Sequence, residues 1–396
     1  MCPNMYFGIA AIVNAEYDKE KIKDVVGKAS RAHPFLRATL GFEETANRYF
    51  YNVQDSSKVS LAVCEGDILD VNSSVVMKEY ERLISRDWNL FEEGMLKIIA
   101  WKGGSPDKTC FLFVFHHLLA DGRGALALVR EIADCYAKDA APKFAEEKLI
   151  SSKADFPEGS ELSFVSRYFV NKANRLWTRE NHKALSYNEY NKFADEFTNQ
   201  HPVTHSFEII EGEQLSALVA ECKNKELTVN DFLLAKMFVE EKTDKIIIAH
   251  DLREDLSFYA PGSLGNYSTA FSISLKKKSA DKIAVAKEVH KSVRKSLKNI
   301  KSQYLVLQCY AELNPALLDA SFMAAQERFN SKAAAFVGKL FFGYDNPKGF
   351  SITNLGKISS DVIDSACFIP PASPAIRKTW GALTVNGRLV ICSCER

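Results

Sequence analysis

The segment His116-His117-Leu118-Leu119-Ala120-Asp121-Gly122 sets two imidazoles side by side, with a carboxylate and a glycine at fixed offsets. Eight histidines in 396 residues predict about 0.16 adjacent pairs by chance. Requiring Asp and Gly at those offsets, each at about 5–7% usage, takes the expectation well below ~0.001, so the spacing is informative. A neutral imidazole suits proton abstraction from a hydroxyl or amine as that group attacks an acyl carbon. A thioester donor is already activated and needs no Ser or Cys nucleophile on the enzyme. Neighbouring residues at a strand end point to opposite sides. One histidine, His117, is therefore expected to face substrate, and His116 to be structural. Asp121 is poorly placed for charge relay and is expected to hold the turn that aims His117. Gly122 allows a sharp exit or a close backbone approach. Zinc would require three or four converging ligands; no such set is visible, and no metal is expected.

The pair needs a rigid support. Residues 109–115 contain CFLFVF, apolar on both sides, which predicts a strand buried on both faces. His116 follows it directly, and residues 124–137 have helical spacing, with Ala125, Leu128, Val129 and Ile132 inward. Strand followed by histidines followed by helix is where α/β folds place reactive groups. Upstream, strands are expected at 6–14, 35–40, 47–53 and 95–101, and helices at 19–32 (ended by Pro34) and from Ser73 or Ser74 to 86. Residues 138–161, rich in Lys, Glu, Ala, Pro and Ser, form the candidate linker. Beyond it, helices are expected at 162–177, 229–241 (capped by Thr228) and 281–300. Strands are expected at 204–210, 245–250, 267–275, 350–352, 382–385 and 389–394. Asn386-Gly387 marks a hairpin between the last two. Helices and strands mix in both halves, so the fold class is α/β with mixed sheets, as two layers covering residues 1–150 and 151–396.

Composition sets the remaining bounds. The chain has net charge +1, 46% hydrophobic and 26% charged residues. This near balance argues for neither nucleic acid nor an anionic membrane as partner. Nine cysteines without CxxC spacing read as free thiols in a reducing compartment. Cys392 and Cys394 read as one core and one surface thiol. With no basic-then-apolar leader and no run near 18 apolar residues, the expectation is a cytoplasmic protein without a membrane span. Lys276-Lys277-Lys278 and the following helix (Lys287, Lys291, Arg294, Lys295, Lys298, with Lys301 beyond) form the most basic stretch. It is either a solvated face or a landing site for the phosphates of coenzyme A or a phosphopantetheine arm. The four tryptophans are expected to pack in the core.

The motif resembles that of the HHxxxDG acyltransferase superfamily, which includes chloramphenicol acetyltransferase-like enzymes, condensation domains and stand-alone alcohol acetyltransferases. The resemblance extends along the chain. His33-Pro34-Phe35-Leu36-Arg37 is similar to an HPxLR entry, and Trp88 to Leu96 to the approach strand. Thr228 to Ala235 is similar to a TVNDVLLAA helix. Asp251-Leu252-Arg253 with Leu264-Gly265-Asn266-Tyr267 resembles DLR…LGNY. Ser351-Ile352-Thr353-Asn354-Leu355-Gly356 resembles an SNLG segment. The DFGWG signature of the plant enzymes is absent. The resemblance implies two chloramphenicol acetyltransferase-like subdomains with a tunnel between them, and His117 at its centre. It also implies an Asp121–Arg253 salt bridge, and an oxyanion donor from Asn266, Ser351, Thr353 or Asn354. The activity implied is acyl transfer from acyl-CoA to a hydroxyl or amine through a ternary complex, with no permanently bound cofactor. The alternatives are condensation on a carrier-protein phosphopantetheine thioester, and a non-catalytic member that binds a ligand or carrier.

Overall fold

The computed structural model describes residues 5–43, 45, 48–182, 185–275, 279–340 and 349–396, with the main chain alone at 341 and 342. Strand β1 (Tyr6–Val13) leads into α1 (Lys19–Ala32), capped by Asp18, whose carboxylate accepts from the N–H groups of Glu20 and Lys21. A strand was expected at 35–40, but Pro34 opens a 3-10 turn, Pro34–Arg37, because its ring presets a helical φ. The strand β2 (Ala38–Glu43) starts after that turn and pairs only with β3 (Arg48–Val53). Next come β4 (Ser60–Ile68), α2 (Ser74–Ile84), β5 (Leu96–Gly103), β6 (Thr109–His116) and α3 (Gly122–Lys138). The expected linker is largely irregular, yet it is anchored: its buried Glu147 accepts from the main-chain N–H of Phe35 at 2.6 Å.

The second half contains α4 (Phe164–Glu180), α5 (Tyr187–Gln200), β7 (Thr204–Glu211), α6 (Gly212–Asn224), α7 (Val229–Glu240), β8 (Lys245–Asp251), β9 (Ser268–Ser274) and α8 (Lys282–Leu297). There follow α9 (Ile300–Glu312), α10 (Pro315–Ala325), α11 (Lys332–Phe342), β10 (Gly349–Ile358), β11 (Ile363–Ile369), β12 (Ile376–Val385) and β13 (Arg388–Glu395). Thr228 and Asp231 form a reciprocal capping box at the start of α7. Asn386 and Gly387 both have positive φ, 49° and 84°, the backbone that a two-residue hairpin with the strand twist requires.

The strands form two mixed sheets. One has the order β11-β1-β6-β5-β4, the other β7-β13-β12-β10-β8-β9. Strand β11 crosses the division expected at residue 150. It leaves the second half and pairs antiparallel with β1, Ala10 opposite Cys367. β6 lies between β1 and β5 and is buried along its whole length, as its unbroken apolar sequence requires. A core of α1, α2, α3 and the first sheet also takes in Leu264, Leu355, Leu383 and Val390 from the second half. A separate core joins α6, α7 and α8 to the second sheet, and a third joins α4, α10 and α11. The four tryptophans are buried. Cys392 and Cys394 are both buried as well, which corrects the core-and-surface reading, because residues two apart on a strand share a face. The cationic side chains of α8 point outward; Lys276, Lys277 and Lys278 lie outside the described residues. No helix among the described residues is long and apolar enough to cross a membrane.

Candidate active site

The two histidines end β6 and part there. His116 is the last strand residue, opposite Tyr6, and its ring meets the Tyr6 ring edge-on at 5.2 Å. Its Nδ1 accepts from the main-chain N–H of Leu118 at 3.2 Å. That bond requires the neutral ring with its proton on Nε2. Burial first, and then His117, pushes its pKa down to about 3. His116 is thus a neutral brace that shapes the turn. The turn is tied at two further points: His117 N–H donates to the carbonyl of Met5 (2.9 Å), and the Tyr51 hydroxyl donates to the carbonyl of Leu118 (2.7 Å).

His117 keeps an open edge, whereas His116 is buried. Its ring packs edge-on against Phe7 at 5.3 Å. Burial lowers its pKa, opposed by Asp121 and by a hydrogen bond to its own main chain; the ring is therefore neutral near neutral pH. Asn266, from the segment before β9, places its amide nitrogen 3.1 Å from His117 Nδ1, while its oxygen accepts from Ser268 Oγ at 2.8 Å. A general base at Nε2 needs the ring proton on Nδ1, whereas an Asn266 N–H facing Nδ1 needs a lone pair there. Rotating the amide by 180° meets both needs, because the amide oxygen then accepts from Nδ1–H and Ser268 Oγ accepts from the amide nitrogen, at the loss of only the long 3.4 Å contact from the Ser268 N–H. That arrangement leaves Nε2 with the lone pair a general base needs.

Asp121 is held by four donors. Its Oδ1 accepts from Arg253 Nη2 (3.0 Å) and from the N–H groups of Arg123 (3.0 Å) and Gly124 (2.9 Å). Its Oδ2 accepts from the N–H of Tyr267 (2.8 Å). The carboxylate is therefore the N-cap of α3. The sequence reading, which began this helix at Gly124, did not anticipate that role. Arg253 is held from two sides: Nη1 donates to Asp251 at 2.8 Å, and the Tyr267 and Tyr259 rings, themselves in edge contact, lie 5.2 and 5.4 Å from the guanidinium. Burial opposes its charge, but Asp121 and Asp251 outweigh burial and raise its pKa. The clamp joins the start of α3 to the strand end and loop that carry Asn266, and so sets Asn266 against His117.

Two glycines admit these contacts. A Cβ at Gly122 would lie 2.7 Å from Leu355 Cδ2, and one at Gly124 would lie 3.0 Å from Arg253 Nη2. Gly122 does not have a positive φ, so its reason is the close approach of β10. Gly124 was not singled out in the sequence; the clue available was a second glycine one turn into an amphipathic helix, at the position facing the cap.

The SNLG-like segment is β10, and alternation splits its candidates. Ile352 belongs to the core beneath α7, whereas Leu355 belongs to the core around the motif. Ser351 and Thr353 share Leu355's parity and face the seam between the halves; the Ser351 hydroxyl donates to Thr379 Oγ1 at 3.0 Å. Asn354 is on the other face. Its amide donates to Asn230 (3.2 Å) and accepts from the N–H of Gly356 (2.9 Å). It lines a cleft of about 1180 Å³ between α6, the start of α7 and β10, behind β10 as seen from Gly122. His117, Asn266, Asp121, Arg253 and Gly122 are brought together; Asn354 is turned away from them. Among the described residues, no three metal-ligating side chains converge.

No protein-family model matches this chain, and no curated protein matches it in sequence. Solved structures do. The first condensation domain of the calcium-dependent antibiotic synthetase superposes with TM-score 0.62 at 10% identity, over 100% of this chain and 86% of that one. The SgcC5 protein of Streptomyces globisporus gives 0.59 at 12% identity, over 99% and 87%. Polyketide synthase associated protein 5 of Mycobacterium tuberculosis gives 0.56 at 15% identity, over 99% and 88%. At such identities these are likenesses of fold: the chain has the two-subdomain α/β architecture of condensation domains.

Proposed function

We propose that this protein transfers an acyl group from a thioester to a hydroxyl or amine, with His117 as general base. The observation that carries the proposal is the environment of His117. It is a neutral, partly open imidazole on the seam between two subdomains, oriented at Nδ1 by Asn266 and fixed from below by the Asp121–Arg253 clamp. Nε2 takes the proton of the acceptor as its oxygen or nitrogen attacks the acyl carbon. The imidazolium formed then returns that proton to the departing thiolate, so the base is regenerated and no acyl-enzyme is formed. Asn266 and Thr353 are the candidate donors to the oxyanion, Ser351 being engaged with Thr379; removing one such donor typically costs about 10²–10³ in rate.

The donor is the finer question. Coenzyme A is the simplest source of a thioester, but the likeness to condensation domains favours an acyl group tethered to a carrier protein through phosphopantetheine. The test offers acyl-CoA and acyl-carrier donors side by side to a panel of alcohols and amines, and follows thiol release. Turnover with the carrier arm alone supports the tethered donor; equal turnover with acyl-CoA refutes that preference. His117→Ala is expected to lower kcat/KM by about 10²–10⁴, and undiminished turnover refutes the assignment of the base.

A further inference from the structure

Helix α4 has an outward face that the fold leaves bare. Phe164, Val165 and Tyr168 are 86%, 62% and 55% exposed, and Phe169 is 41% exposed. They are neighbours in space. The rings of Tyr168 and Phe169 lie 5.8 Å apart, and Phe169 meets Phe336 of α11 at 6.2 Å. Leu340, one turn beyond Phe336, is 66% exposed. These six residues form one apolar patch spanning two helices; isolated exposed apolar residues need no explanation, but a contiguous set does. The inward face of α4 is occupied separately by Val170, Ala173 and Trp177.

The same helix is strongly cationic. Its residues Phe164–Glu180 contain Arg167, Lys172, Arg175 and Arg179 against one carboxylate, Glu180, which is turned to the start of α11, where it accepts from the N–H groups of Lys332 and Ala333. At 100° per residue, Lys172, Arg175 and Arg179 fall on the same arc as Phe164, Val165 and Tyr168. The first two turns of the outward face are thus aromatic and the last two cationic. Lys172 lies 5.7 Å over the Phe336 ring, and Arg167 reaches Glu312 only at 4.0 Å. Arg175 and Arg179 make no ion pair among the described residues. The whole-chain charge of +1 conceals this local imbalance.

We infer that α4 and the adjoining end of α11 form a docking surface for an anionic lipid bilayer. Aromatic side chains beside lysines and arginines on one exposed helical arc are what an interfacial helix presents to headgroups and acyl chains, with long cationic stems reaching up to phosphate. The helix lies on the bilayer and does not cross it. A protein partner would need a seat for its side chains, and neither the α6–β10 cleft nor the smaller one beside Phe238 and Leu275 borders the patch.

The test is co-sedimentation of the full chain with phosphatidylcholine vesicles, with and without about 30% phosphatidylglycerol, at about 50 and about 300 mM salt. Binding is expected to the anionic vesicles and to weaken in the higher salt. The pair Arg175→Gln and Arg179→Gln is expected to lower the partition coefficient by roughly 25-fold, about five-fold per charge. The pair Phe164→Ser and Tyr168→Ser is expected to lower it by about 10-fold or more. All four positions are exposed, so Tm should not change, and an unchanged melting curve keeps a misfolded variant from imitating the result. No binding to anionic vesicles, or binding indifferent to both pairs, overturns the inference. So does self-association that buries Phe164, or capture of an acidic protein through the patch without vesicle binding.

Discussion

Replacing Arg253 with Met removes the charge while keeping an apolar stem beside the Tyr259 and Tyr267 rings. Both partners are buried: the side chains of Arg253 and Asp121 are 11% and 4% exposed. Breaking such a pair from one side typically costs about 3–5 kcal/mol, because a buried charge loses its counter-charge. Asp121 keeps three main-chain donors, at Arg123, Gly124 and Tyr267, which places the expected cost at the lower end, about 3 kcal/mol. For 396 residues, an unfolding entropy of about 2.1 cal/mol/K per residue comes to about 0.8 kcal/mol/K. Tm should therefore fall by about 4 °C in differential scanning calorimetry. Asn266 rides on the loop that the clamp holds, so kcat should also fall, by up to about 10²-fold for an ångström of displacement, with KM changing less. In an Asp121→Asn background the same Arg253→Met change should cost less than about 1 kcal/mol, since the carboxylate that needed the charge is gone. A Tm drop under about 1 °C in the single variant, or an undiminished cost in the double, refutes the clamp argument. Loss of activity through KM alone would make Arg253 a substrate contact.

Further expectations follow from individual contacts. Gly122→Ala drives a methyl toward Leu355 Cδ2 and should destabilise by about 1–3 kcal/mol; Leu355→Val should recover part of that loss in denaturant melts. Because burial lowers the pKa of His117 below its ordinary 6.5, the pH–rate profile should stay flat through neutral pH and fall only on its acid side. Asn266→Asp places a carboxylate on Nδ1 and should move that acid limb upward. His33 bridges Glu131 and Glu147 at 2.6 and 3.1 Å. Burial opposes its charge, but the two carboxylates outweigh burial and raise its pKa to about 9. The folded state thus holds this proton more tightly. The stabilisation, about 3 kcal/mol, is complete below pH 6.5 and lost as pH rises through about 9. Tm of the wild type should decline across that window, and His33→Asn should start lower and show a smaller decline.

The legible parts of the fold were those whose signals are local. CFLFVF announced β6 because a strand buried on both faces cannot afford a polar residue. Thr228 and Pro34 punctuate helices by chemistry confined to one turn. The helices α5, α6, α9, α10 and α11 were not anticipated, and α10 shows why. Pro315 to Ala325 is buried on nearly every side, so it lacks the apolar-polar period that identifies a surface helix. β11 was missed for a different reason. Its sequence is an ordinary apolar strand, and its place beside β1, about 350 residues earlier, is decided by which edge of the first sheet remains open.

The site divides along the same line. His117 and Asp121 were readable because strand, turn and helix start put them within five residues of each other. A base at His117 and a turn-holding Asp121 were expected as well, but beyond the Arg253 pairing that the resemblance implied, the donors that fasten them were not, because they lie far away in sequence. Arg253 and Tyr267 reach Asp121 from 132 and 146 residues away, and Asn266 reaches His117 from 149. The motif's apparent unity is thus partly an artefact of adjacency. Asp121 makes no hydrogen bond to His117 and acts on it only through its charge; its bonds cap α3 and fasten the loop that delivers Asn266. What distinguishes His117 from His116 is equally non-local. Both end the same strand, but one is sealed by Tyr6 and the Leu118 N–H, and the other is left open at a seam that exists only once the second half has packed against the first. A chain carrying this motif without the later residues would still make the turn, but it would have nothing to set the tautomer of its base.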